Sequence, residues 1–220
     1  MQRLTLAIAA GVLLFAAHAF AADPFTLTSS TFKDGTPLAA KNGGNNKANP
    51  NCNGENVSPL LAWSNVPADT KSFALIVIDP EGQRGLGSVH AVAYGIPASV
   101  NGFAEGDLTK PSDKYVIGKV GAGITAYTGP CTPPNTGYHH YVFVLIASDL
   151  DPKELPAGLT RDELRAELPL QGGDAPADGG VVHLERTRRG AHRAVPVKRQ
   201  HVAKVVPVHG PHLPPKAGLT

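Results

Sequence analysis

Two apolar runs of strand length constrain this chain more than any other feature: Ser72 to Ile78 (SFALIVI) and Tyr141 to Ala147 (YVFVLIA). Each is too short for a core helix and rich in β-branched or aromatic residues, so both read as buried strands. The first stops at Asp79-Pro80-Glu81-Gly82, where a residue without an N–H and a glycine end strand pairing. Weaker strand signals surround them. Phe25 to Thr28 alternates apolar and polar, Val89 to Ile96 is closed by Pro97, and Tyr115 to Ile117 is a short third candidate. Ser58-Pro59 favours extended backbone before Trp63. Asp34-Gly35 and Val66 to Asp69 carry turn chemistry. One helix is signalled, by a capping box at Thr160 and Glu163 followed by Leu164 and Leu168 on one face. Many strands and few late helices predict a mainly β protein, an antiparallel β-sandwich.

The two ends of the chain differ from this middle. Arg3, the apolar stretch Leu4 to Phe20 and the small-x-small site Ala19-Phe20-Ala21 read as a secretory signal over residues 1–21. The expected location is periplasmic or secreted, with a folded domain over residues 22–168. In an oxidising compartment Cys52 and Cys131, the only cysteines, are expected to pair. The closed loop of about 80 residues would stabilise the fold by roughly 4 kcal/mol on chain-entropy grounds. Lys41 to Asn53 is dominated by Asn, Gly, Lys and Pro and is expected to run over the surface, with Lys41 and Lys47 solvated. Pro169 interrupts the helical pattern. From there to Thr220 the chain has no Phe, Tyr, Trp, Cys or Met and carries five of the nine histidines. This tail is expected to be irregular, either a basic disordered extension or the product of a shifted reading frame. Nothing in it has the pattern of a nucleic-acid-binding fold, and the net charge of +2 excludes little.

Polar residues gather at the ends of the expected strands: Asp79 and Glu81, His90, Gly129-Pro130-Cys131, and His139, His140 and Tyr141. Strand-end loops on a rigid sheet are the usual seat of binding groups. Alternation puts His139 and Tyr141 on one face and His140 on the other. Imidazole and phenol groups donate to an anion, and a loop N–H can add to them. Two histidines with two carboxylates would also suit a divalent metal. No compact metal-binding histidine spacing supports that, and Ser58 and Ser88 lack a nucleophile-elbow context. Trp63 reads as a core residue.

In chain order, ENVSPLLAW (55–63), VPADTKSFALIVIDPE (66–81), SVHAVAYGIPA (88–98), GPCTPP (129–134) and HHYVFVLIASDL (139–150) resemble the phosphatidylethanolamine-binding, or Raf kinase inhibitor-like, family in its bacterial branch. The resemblance runs from about Phe25 to Leu168. It implies a β-sandwich with one small pocket for phosphate-like anions; with no compact metal spacing and no nucleophile context in the sequence, a binder without cofactor, metal or catalysis is expected. The resemblance places Asp79, Glu81, His90, Gly129, Pro130, His139 and Tyr141 at that pocket. The expected ligand is a small phosphorylated anion or an anionic lipid headgroup, and the family also implies a role as inhibitor or modulator of a partner protein. A periplasmic hydrolase built on the same Asp/His cluster, with or without a metal, is the alternative. The chain departs from the family's pattern at several points. His140 stands where an arginine is usual, Glu81 replaces Asp, Ala91 replaces Trp, and GAGITAY (121–127) replaces the usual Asn-Asp loop.

Overall fold

A computed structural model describes residues 23–133, 135–168, 182–185, 199–202 and 206–209. The signal reading, on residues 1–21, and most of the tail lie outside these residues. The apolar run at 72–78 forms β3 (Ser72–Asp79), and the run at 141–147 forms β7 (His140–Ser148). They pair with each other in antiparallel register, Ser72 opposite Ser148 and Ile78 opposite Val142. β4 (Ser88–Pro97) pairs with the other edge of β3, and β6 (Val116–Ile117) with β4. A second sheet orders β1 (Thr26–Thr28), β2 (Leu61–Ser64) and β5 (Gly102–Phe103). The ladders between these described strands are antiparallel.

The central strands are apolar throughout because both of their faces are covered. Phe73, Leu75 and Val77 of β3 point toward the small sheet and join Phe25, Leu27, Trp63 and Phe103 in the larger core. Trp63 packs edge-on against Phe73 and Phe103, with ring centroids 5.3 and 5.5 Å apart. Ala74 and Ile76 point the other way, into a second core with Tyr94, Ile146, Leu164 and Leu168. Period-2 alternation thus persists, with both sets of side chains apolar. Leu164 belongs to the helix Arg161–Glu167, and Leu168 is its C-cap. Its capping box is closed: Thr160 Oγ1 accepts from the Glu163 N–H, and Glu163 Oε2 accepts from the Thr160 N–H at 2.8 Å.

The tail, expected to be irregular, contributes three four-residue strands: β8 (Val182–Glu185), β9 (Arg199–Val202) and β10 (Val206–His209). β9 pairs with Ile146–Ser148, β8 pairs with β9, and β10 pairs with His140–Phe143. The alternating valines of β10 (Val206 and Val208) and the otherwise open outer edge of β7 favour this pairing.

The segment at 41–53 departs from a plain surface loop. Asn42, Gly43 and Gly44 are buried. The Tyr127 hydroxyl donates to Asn42 O at 2.9 Å, and Asn42 Nδ2 donates to Val57 O at 2.8 Å. Lys41, expected to be merely solvated, pairs with Glu105 at 2.7 Å. The reason is the disulfide: Cys52 and Cys131 are bonded, with Cα atoms 4.6 Å apart. It draws the loop onto the segment at Gly129, where there is no room for side chains. A Cβ on Gly44 would collide with Cys131 Sγ, and one on Gly129 would collide with Asn42 O.

Candidate functional site

The antiparallel arrangement brings the end of β3, the start of β4 and the approach to β7 to one end of the large sheet, with Asp79 opposite Ser88. A cavity of about 1110 Å³ opens there. It is wider than the small pocket expected, because the loop Gly82–Gly87 and the segment Thr160–Asp162 form part of its walls. At the loop's one-turn helical segment, Gly82–Gly85, Gln83 and Arg84 take left-handed backbone angles (φ 51° and 60°).

Four buried side chains form its floor: Asp79, His90, His139 and Tyr141. Asp79 Oδ2 accepts from His139 Nδ1 at 2.7 Å. Asp79 Oδ1 accepts from the Gly82 N–H at 2.8 Å. Both carboxylate oxygens are therefore engaged, and the pair ties β3 to the start of β7. His90 owes its position to a β-bulge. Val77 faces Ala91 but Ile78 faces Val89, so His90 is the extra residue of β4. Its ring packs edge-on against Tyr141 with centroids 5.0 Å apart. Its Nδ1 lies 2.5 Å from Thr128 O. A carbonyl oxygen only accepts, so Nδ1 carries the hydrogen. His90 Nε2 is buried and has no partner among the described residues. Burial holds the His90 imidazole below its ordinary value, against the pull of the Thr128 carbonyl and Asp79. The Tyr141 hydroxyl lies 3.0 Å from Thr132 Oγ1, and burial pushes its phenol up to about 12.

The remaining residues singled out in the sequence stand around this floor. Glu81 lines the cavity, but both its oxygens are held by His140, from the backbone N–H at 3.0 Å and from Nδ1 at 2.7 Å. Burial acts to raise the Glu81 carboxyl; those hydrogen bonds outweigh it and leave the group below its ordinary value. Gly129 also lines the cavity, but its N–H donates to Asn56 Oδ1 at 2.7 Å. Pro130 is buried behind the rim, with its carbonyl accepting from the Gly44 N–H at 2.8 Å. Three contributors were missed from sequence: Thr128 and Thr132, which hold His90 and Tyr141, and Asn56, which holds Gly129. The single hydroxyl in GPCTPP was a usable signal for Thr132. The other two act through a main-chain carbonyl and a left-handed turn residue (Asn56, φ 60°), neither of which has a sequence pattern. Arg84, Lys119 and Arg161 line the cavity beyond the floor. Among the described residues no group of three or more His, Cys, Asp or Glu is placed to hold a metal ion.

Residues 28–171 match the family model described as phosphatidylethanolamine-binding protein. A UPF0098 protein of Aquifex aeolicus is 36% identical over 119 residues, 53% of this chain and 68% of that protein. A Mycobacterium tuberculosis protein provisionally named lipoprotein LppC is 36% identical over 140 residues, 64% of this chain and 63% of that protein. Among solved structures, Escherichia coli YbcL, described as a new member of the mammalian PEBP family, superposes with a TM-score of 0.59 at 31% identity. That match covers 66% of this chain and 90% of YbcL. A phosphatidylethanolamine-binding protein homologue from Chlamydia trachomatis gives 0.57 at 25% identity, covering 85% and 95%.

Proposed function

From the premise that this chain belongs to the phosphatidylethanolamine-binding protein family, we propose that it is an exported, non-enzymatic protein that binds a small phosphate-bearing anion at the Asp79–His90–His139–Tyr141 floor. One observation carries the reading. His90 Nε2 is a buried polar atom without a partner among the described residues, on a residue that lines a large cavity. Buried polar atoms are rarely left unsatisfied, and a ligand is one of the few things that explains such an atom. The His139–Asp79 pair supports the same reading by holding the second imidazole in one orientation. Free phosphate, phosphomonoesters and lipid headgroups share the required chemistry. Export is supported by the bonded cysteines and by the N-terminal sequence pattern.

Binding is favoured over hydrolysis because, among the described residues, the hydrogen bonds of the floor imidazoles go to the Thr128 carbonyl and to Asp79, and none joins either ring to a Ser, Thr or Cys side chain that could serve as a nucleophile. The test is titration with phosphate and phosphoethanolamine, followed by NMR or calorimetry. Saturable binding is expected in the natural chain, and none in a His90→Ala, His139→Ala double variant. Equal binding by both proteins would remove the floor from the reading.

A further inference from the structure

Each histidine of the floor commits Nδ1 to an internal acceptor, His90 to the Thr128 carbonyl and His139 to Asp79. What His90 can offer a ligand is therefore Nε2, which carries a lone pair when the ring is neutral. Burial reinforces that state. Asp79 comes from β3, His139 and Tyr141 from the start of β7, and Thr128 from the facing loop. Among these the Thr128 carbonyl and Asp79 favour a charged His90 and His139 opposes it; burial, the largest effect, opposes it too and outweighs both. The Tyr141 hydroxyl is engaged with Thr132. The arginines and the lysine of the cavity make no hydrogen bond to any of the floor side chains. A fully deprotonated phosphoryl group arriving at Nε2 would meet a lone pair instead of a donor.

We propose that this cavity selects phosphomonoesters and inorganic phosphate over phosphodiesters, because the bound phosphoryl group must share one proton with His90 Nε2. The proposal rests on the anion-binding reading above and narrows it. The balance is simple: a dianionic ligand and one proton from solvent enter, and the proton ends between a ligand oxygen and Nε2. No covalent bond to phosphorus forms or breaks. A monoester accepts that proton readily, since its second ionisation lies near pH 6. A diester has no ionisation near neutrality, so the proton would have to reside on the buried imidazole, where desolvation disfavours it. The diester of an ordinary membrane phospholipid is thereby discriminated against, and a free phosphomonoester is favoured.

Phosphoethanolamine and glycerophosphoethanolamine share their ethanolamine end; the second carries a glycerol ester where the first carries the ionisable oxygen, and the His90→Gln variant separates the effect of that oxygen from the effect of the added glycerol. Calorimetry at pH 7.5 in two buffers of different ionisation enthalpy reads the protons taken up. Phosphoethanolamine is expected to bind with uptake of about one proton, and its affinity to fall about tenfold per pH unit above the ligand's own ionisation. The diester is expected to bind at least about tenfold more weakly, equivalent to about 1.4 kcal/mol. His90→Gln supplies an amide donor that does not titrate, so the uptake should vanish and the preference collapse. Saturable binding by the natural chain without proton uptake, or unchanged uptake in His90→Gln, would overturn the proposal while leaving the anion site standing. Absence of saturable binding would overturn the site itself.

Discussion

Two neighbouring histidines make the same contact in different surroundings. His139 meets Asp79 and His140 meets Glu81, each pair at 2.7 Å. The first pair is nearly closed off, with side chains 9% and 6% exposed; the second is open, at 39% and 41%. Distance alone would give them equal weight. Burial separates them, because charges screened by water interact weakly and a buried pair that loses one member leaves the other unsolvated. The inner pair therefore holds the floor in one geometry. The outer pair is a strut between the loop after β3 and the start of β7, and it accounts for two of the departures from the family pattern together. Where an arginine is usual the chain has His140, and the carboxylate that meets it is the longer Glu81.

Removing the disulfide should have the largest effect, and an uneven one. The floor's outer wall, Thr128 to Thr132, is tethered through Cys131 to Cys52; the strut is not. A Cys52→Ser, Cys131→Ser variant is expected to lose about 4 kcal/mol of stability, read as a lower urea midpoint. In its NMR spectrum the His90 ring resonances should move more than those of His140. Equal movement of both would mean that the wall does not depend on the tether. The next largest effect is expected from Asp79→Ala, which removes one member of the buried pair and the acceptor of the Gly82 N–H. A loss of roughly 3 kcal/mol is expected by denaturation. A loss no greater than that of Glu81→Ala would erase the distinction between the two pairs.

Much of this was legible before any coordinates. The strands carried by SFALIVI, VHAVAYGI and YVFVLIA needed only length, composition and their proline or polar boundaries. The capping box gave the helix start to the residue, since Thr160 and Glu163 act locally. The burial of His139 and Tyr141 against the more open His140 followed from alternation. What escaped depends on non-local geometry. The β-bulge that turns His90 onto Tyr141 is a register property of two strands. The burial of Asn42 to Gly44 comes from the disulfide pulling an apparently solvated loop inward. β5 is two residues long, too short for any period to show. Thr128 enters through its backbone carbonyl, which every residue type possesses.

The smallest effect expected is on the outer pair, and its sign is fixed by the direction of the Glu81 shift. The carboxyl is held below the ordinary 4.5, so the folded state favours the ionised form. The stability this confers is fully present above that ordinary value and is lost as pH falls through the lowered native one. The side chain is two-fifths exposed, which keeps the contribution below about 1 kcal/mol and sensitive to salt. Thermal unfolding from pH 6 down to pH 3 should therefore show a slightly flatter acid limb for Glu81→Gln than for the natural chain. The difference should shrink further in 0.5 M salt, at about half the Debye length of physiological ionic strength. Asp79 variants should show no such salt dependence, because their partner is buried. If Glu81→Gln proves as costly as Asp79→Ala and indifferent to salt, the outer pair is part of the floor, and burial was the wrong criterion for telling the two histidines apart.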